Sequence, residues 1–124
     1  MDDDFIRSFA RKLLEQGLVG VDAWGPGCGG VDTVFDLAIF DWDDERGVRR
    51  PYSRHIYTSS HEDEMLVDAL WYAVRNERPM EGYLPGWRSV LTVVVGPPEW
   101  TDQIEPWLSD LDLLDSEAVP EQDD

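Results

Sequence analysis

The feature that most constrains the fold is a glycine-rich run at residues 20–30. Five glycines and one proline occupy these eleven positions. Glycine weakens helices and strands, and proline lacks a backbone donor, so such a run is typical of a loop. We therefore predict a loop here, between two segments whose apolar residues follow different periods.

The segment before the loop has the spacing of an amphipathic helix. Acidic residues at its start suit a helix N-terminus, and Gly17 suits its end. The pattern predicts a helix over residues 4–16. Its apolar positions are Phe5, Ile6, Phe9, Leu13 and Leu14.

After the loop, apolar residues recur at every second position, as in a half-buried strand. This pattern predicts a strand over residues 31–40, a turn at 43–47 and a second, antiparallel strand over 48–58. Pro51 cannot donate a ladder hydrogen bond, so we place the second strand at a sheet edge. The positions expected on one face are Val31, Thr33, Phe35, Leu37 and Ile39.

Three further elements are predicted. A helix begins near Ser59, where Ser59 with Glu62, or Ser60 with Asp63, fits a capping box. Residues 89–96 are apolar and β-branched, which favours a central strand. Residues 100–114 have helical spacing, with Pro106 expected to kink or restart the helix.

These elements predict an α+β fold in one small domain. The length of 124 residues supplies one hydrophobic core rather than two. We expect a sandwich of about three mostly antiparallel strands with helices packed on the sheet, spanning residues 1–114. Residues 115–124 are expected to form an acidic, mobile tail.

The charge of the chain excludes some classes of partner. It carries 27 Asp and Glu against 10 Lys and Arg, a net charge of −17. Nucleic acid and anionic membranes repel such a chain at long range. Residues 5–114 hold 19 acids and 10 bases, so the ends supply nearly half of the net charge.

The location and cofactors of the protein can also be predicted from composition. The acidic start lacks the basic and apolar regions of a secretory signal, and the longest apolar run has the length of a strand. We expect a cytoplasmic protein. One cysteine and two histidines lack zinc-ligand spacing, so neither a metal nor another cofactor is predicted.

The run from Leu37 to Asp43 is apolar and ends in Asp-x-Asp. It resembles the first motif of the haloacid dehalogenase phosphatases, which implies Asp41 and Asp43 as the nucleophile and the proton-transferring carboxyl. Asp44 stands where that family has a hydroxyl residue, and the only lysine, Lys12, lies upstream. We therefore expect no enzymatic activity and keep a metal-dependent phosphatase as the third alternative.

Two other groups of residues have structural interpretations. Arg46, Arg49, Arg50 and Arg54 could bind an anion, but pairing with the acids across the predicted hairpin is favoured. Residues 25–30 lack the Lys-Ser/Thr of a phosphate loop, and we do not assign them as a dinucleotide fingerprint.

Acidic and aromatic residues together favour a binding function. Carboxylates attract a basic partner, and aromatic side chains add affinity at interfaces. We predict a non-enzymatic protein that inhibits or neutralises a basic protein partner, as an immunity protein, antitoxin or anti-defence inhibitor does. The alternative is an accessory or structural domain from a salt-adapted or GC-rich organism, with no charge-based target. Predicted contacts are Asp41, Trp42, Asp43, Asp44 and Glu45 at the hairpin tip, then Glu62, Asp63 and Glu64.

Overall fold

A computed structural model describes residues 2–86 and 97–118 of the chain. The chain divides into two compact units. The first comprises Met1–Asp63 and Arg78–Trp87, and the second comprises Glu64–Glu77 and Arg88–Asp124.

The first unit begins with the predicted N-terminal helix, which is confirmed. Helix α1 spans Asp3–Glu15. The Asp2 carboxylate accepts from the backbone N–H of Asp4, which satisfies one of the donors that a helix start leaves unpaired. The chain leaves the helix through Gly17, whose φ of 93° lies in the left-handed region that glycine favours.

A parallel β-α-β arrangement follows α1. Strand β1 spans Gly20–Trp24, helix α2 spans Cys28–Glu45 and strand β2 spans Tyr57–His61. The two strands pair in parallel, with Gly20 opposite Tyr57 and Trp24 opposite His61. Parallel neighbours need a crossover, and α2 lies within that connection. The predicted loop at residues 20–30 is therefore wrong at both ends: residues 20–24 are strand, residues 28–30 belong to α2, and only residues 25–27 connect the two.

The predicted hairpin is also wrong, because residues 31–40 lie inside helix α2. Apolar residues occupy alternate positions on both faces of the predicted strand, and the ones that the helix buries recur at helical spacing. No glycine or proline interrupts residues 31–46, and this length suits a helix better than a strand. The buried or core-packed positions of α2 are Val31, Val34, Phe35, Ala38, Ile39 and Trp42.

The segment predicted as the second strand and the following capping box also differs. Tyr52–Arg54 form a short 3₁₀ helix, and Tyr57–His61 form β2. Ser59 and Ser60 are thus strand residues, and the next helix starts only after Met65. Ser59 uses its hydroxyl to reach Asp22 on β1 rather than to cap a helix. A second 3₁₀ helix spans Glu81–Gly86.

The core of the first unit lies between α1 and α2. Its buried side chains are Ile6, Ala10 and Leu14 from α1 and Val34, Phe35 and Ala38 from α2. Arg7 pairs with Asp41, and Arg11 pairs with Glu45. Because both pairs advance by four residues on each helix, α1 and α2 run in the same direction.

The second unit is helical in its described part. Helix α3 spans Leu66–Trp71 and continues as a π-helical turn, Tyr72–Asn76. Helices α4 and α5 span Pro98–Ser109 and Leu111–Glu117. Pro106 lies within α4, and the helix restarts at Asp110, whose carboxylate accepts from two backbone N–H groups of α5. Leu70, Ile104 and Leu114 form the core of this unit.

Two predicted segments extend beyond the helices and strands given above. The predicted strand at 89–96 lies outside the described residues. Of the predicted tail, residues 115–117 belong to α5, where Asp115 accepts from Trp71 and Arg75. The prediction of one domain over 1–114 stays a prediction.

The chain is thus a mixture of helices and sheet, as an α+β fold requires. The finer prediction of about three mostly antiparallel strands is not matched: the strands in residues 2–86 and 97–118 are two and parallel. None of the described helices is long and apolar enough to cross a membrane.

Candidate functional site

A polar cluster joins the two strands of the first unit. Its centre is Asp22 on β1, whose side chain is only 10% exposed. The Ser59 hydroxyl donates to Asp22 Oδ1 over 2.6 Å, and the Tyr57 hydroxyl donates to Oδ2 over 3.1 Å. His61 Nε2 lies 3.1 Å from Oδ1. Alternation along β2 brings Tyr57, Ser59 and His61 to the face that carries Asp22.

The cluster contains Ser, His and Asp, but its geometry differs from that of a catalytic triad. In a triad the nucleophile contacts one ring nitrogen and the carboxylate contacts the other. Here Ser59 Oγ and Asp22 Oδ1 both contact Nε2 of His61, at 3.0 and 3.1 Å. Ser59 also donates to the carboxylate itself. These contacts hold the strands together.

A second pair of carboxylates approaches β2 from helix α2. The Thr58 hydroxyl donates to Asp36 Oδ1 over 2.6 Å. Burial raises the pKa of Asp32 above its ordinary value, the nearby Thr58 side chain partly offsets this rise, and one of the carboxylate oxygens of Asp32 is buried without a hydrogen-bond partner. The nearby charges of Asp36 and Asp22 raise the same pKa further.

The glycine run now has a structural context. Gly25, Gly27 and Gly30 reproduce the G-x-G-x-x-G spacing between a strand and the helix that follows it, which is the context of a dinucleotide fingerprint. In that fingerprint the third glycine permits close packing of helix on strand. A Cβ at Gly30 would meet nothing within 4 Å, so here this glycine has no such packing role.

The first group of predicted contact residues lies at the C-terminal end of α2. Carboxylates are unfavourable there, because the helix dipole is negative at that end. Arginines from neighbouring segments offset them: Arg7 pairs with Asp41 at 2.9 Å, and Arg50 pairs with Asp43 at 2.7 Å. Arg11 pairs with Glu45, and its hydrogen bond lowers the pKa of that carboxyl.

The structure therefore distributes these acids over different sides of one helix. Asp41 and Glu45 reach α1, whereas Asp43 reaches Arg50, which also donates to the Tyr83 hydroxyl. Pairing of arginine with acid is observed, but across helix neighbours and loops rather than across a hairpin. The strand context that the phosphatase resemblance implies for Asp41 and Asp43 is wrong.

Trp42 is half-buried rather than exposed at a tip. Its ring packs against the core of the first unit, and the guanidinium groups of Arg11 and Arg46 each lie 4.8 Å from its centroid. Such cation–π contacts are stabilising within the fold. The exposed aromatic residue of α2 is Phe40, which is 68% exposed.

The second group of predicted contacts follows β2. Glu62 and Asp63 are exposed, and neither has an ion pair within the described part of the chain. They follow His61, the last residue of β2, so they lie at the edge where the glycine run enters α2. Glu64 belongs to the second unit and has an interaction partner.

No group of three or more His, Cys, Asp or Glu side chains in residues 2–86 and 97–118 is arranged to hold a metal ion. Residues 1–111 match the model of a protein family described as a domain of unknown function, DUF7684. The chain belongs to this family. No curated protein and no solved structure matches it.

The DUF7684 match covers the polar cluster and all eight predicted contact residues. Sequence reasoning missed the cluster because Asp22 lies in the run predicted as loop, Tyr57 lies in the predicted antiparallel strand, and Ser59 and His61 lie in the predicted helix start. Alternation of Tyr57, Ser59 and His61 was the signal that could have found it.

Proposed function

We propose that this protein is a non-enzymatic binding protein that inhibits or neutralises a basic protein partner. Its carboxylates would occupy positions that the partner otherwise uses for a polyanion. Complementary charge would speed association, and apolar contacts would add affinity.

One observation carries the proposal: the first unit separates its acids into paired and unpaired groups. Asp41, Asp43 and Glu45 have arginine partners, whereas the exposed Glu62 and Asp63 have no ion pair among the described residues. An unpaired exposed carboxylate contributes little to stability, and its charge stays available to a partner outside the chain.

The paired acids have a smaller part in this proposal than the sequence suggests. To meet a basic partner, Asp43 would have to leave Arg50, and both side chains of that pair are only 17% exposed. Breaking such a pair leaves a poorly solvated charge behind. We therefore place the electrostatic contact at exposed acids without an ion pair, first of all at Glu62 and Asp63.

Capture from native lysate at low and at high salt tests the function. We expect the full chain to retain a basic protein at low salt and to release it at high salt, because screening weakens attraction between exposed charges. The variant Glu62→Lys/Asp63→Lys should retain much less of it. The control Glu15→Lys/Glu81→Lys changes the net charge equally at other exposed sites and should retain it.

A basic protein retained equally by both variants would show that the contact is not at Glu62 and Asp63. Retention that high salt does not reduce would contradict the electrostatic mechanism itself.

A further inference from the structure

Helix α2 has an apolar solvent face that the fold does not use. Leu37 is 51% exposed and Phe40 is 68% exposed, and they are one turn apart. Thr33 and Asp44 extend this row with spacings of four, three and four residues. We call these four residues the α2 face; it is about 16 Å long at the rise of an α-helix.

The core of the first unit does not account for the apolar residues of this face. The buried residues of α2, among them Val34, Phe35 and Ala38, lie on its other side against α1 and the strands. A soluble domain exposes single apolar residues often, but a phenylalanine and a leucine adjacent on one helix face form a surface that an interface can bury.

Two carboxylates, one within the α2 face and one beside it, indicate the charge of its occupant. Asp44 is exposed and has no ion pair in the part of the chain that the structure describes. Asp36 is exposed and accepts a hydrogen bond from Thr58, which leaves its negative charge uncompensated. A second copy of this chain would bring like charges together on molecules of net charge −17.

We propose that the α2 face binds the apolar side of a basic amphipathic helix in the protein partner. This inference rests on the proposed function and names the surface that supplies its affinity. Spacings of three and four residues suit packing against a helix at a shallow crossing angle. Phe40 and Leu37 are then the apolar anchors, and Asp36 and Asp44 meet flanking lysine or arginine side chains.

Two synthetic peptides of about four helical turns test the surface. One is an amphipathic helix of leucine and lysine; the other has serine in place of leucine and the same number of lysines. Fluorescence anisotropy of each labelled peptide is measured against the full chain at about 0.15 M salt, where the screening length is roughly 8 Å. Sedimentation of the chain alone reports self-association.

We expect the leucine–lysine peptide to bind at least about tenfold more tightly than the serine–lysine peptide, as for truncation of an interface anchor. Phe40→Ser and Leu37→Ser should each remove most of this difference. Tyr52→Ser, at a side chain that is 79% exposed in the same unit, is the matched control and should keep it. Circular dichroism checks that each variant is folded.

Four outcomes would overturn the inference. If both peptides bind equally and salt weakens both, the result would agree with the electrostatic function but contradict binding at the α2 face. An unchanged preference for the leucine–lysine peptide in folded Phe40→Ser and Leu37→Ser would also contradict binding at the α2 face. Self-association of the wild type, lost in Phe40→Ser, would assign the face to a second copy. Binding of neither peptide, even at low salt, would also contradict binding at the α2 face, whereas the capture experiment tests the proposed function separately.

Discussion

Asp22 is the residue on which the parallel strands of the first unit depend. It accepts hydrogen bonds from Ser59 and Tyr57 and contacts His61, so three side chains of β2 meet one carboxylate of β1. His61 is 7% exposed. A buried polar group that loses its partner costs more than the hydrogen bond contributed, so these donors make the carboxylate difficult to replace.

Removing Asp22 should therefore destabilise the protein strongly. We expect Asp22→Ala to lower the free energy of unfolding by about 3 kcal/mol or more, because it leaves several donors unsatisfied. Ser59→Ala, which leaves the other contacts, should cost about 1 kcal/mol. Urea unfolding followed by circular dichroism measures both, with the exposed Asp63→Ala as control. Equal small losses for Asp22→Ala and Asp63→Ala would contradict this role.

The ionised carboxylate of Asp32 should destabilise the folded state at neutral pH. Its pKa is raised, mainly by burial, so the folded state binds a proton more tightly than the unfolded state does. Its favourable contribution is complete below the ordinary pKa of 3.8 and is lost as pH rises through the folded value. Asp32→Asn should be more stable than wild type at pH 7, with the advantage shrinking towards pH 3.8. A stability advantage of Asp32→Asn that does not change with pH would contradict the raised pKa of Asp32 as its cause.

Helix α2 shows how far an apolar pattern determines an element. A strand over residues 31–40 would place Phe35 and Leu37 on the same face. The helix separates them instead: Phe35 is 4% exposed and Leu37 is 51% exposed. Substitutions at these two positions therefore distinguish the two structures.

We expect Phe35→Ala to cost about 3–5 kcal/mol, the loss typical of truncating a buried aromatic residue. Leu37→Ala should change stability by less than about 0.5 kcal/mol, because alanine also favours helix at an exposed site. Midpoints of urea unfolding give both values. Similar large losses at both positions would favour a strand.

Parts of the fold were predictable where local signals agreed. Helix α1 has acids at its start, helical apolar spacing and Gly17 after its end, and these all indicate one element. The candidate site was harder to predict, because Asp41 and Glu45 of α2 pair with arginines that lie 34 residues earlier in the chain. Ser59 was predicted to cap a helix for a similar reason, because nothing in the neighbouring sequence shows that Asp22 lies opposite it.

At the scale of the whole molecule, the negative charge is uneven. The sequence of the first unit holds 14 acids and eight bases, and that of the second holds 13 acids and two bases. The net charges are therefore −6 and −11, although the second unit is shorter. Arg75, which pairs with Asp115, is one of the two bases of the second unit.

This imbalance predicts a stability that rises with salt. Helix α4 exposes Glu99, Asp102 and Glu105 at intervals of three residues, so like charges repel along one side. We expect the thermal midpoint to rise between about 0.02 and 0.5 M sodium chloride, as screening reduces repulsion. The triple variant Glu99→Gln/Asp102→Asn/Glu105→Gln should show a smaller rise. An equal rise in both proteins would contradict repulsion at α4.

The central claim is that unpaired carboxylates direct this protein to a basic partner. The most direct test is the association rate constant with the captured partner, measured by surface plasmon resonance at increasing ionic strength. We expect the rate to fall at least about tenfold between low salt and 0.3 M, and Glu62→Lys/Asp63→Lys to bind slowly at every salt concentration. A rate that neither salt nor this charge reversal changes would contradict the account.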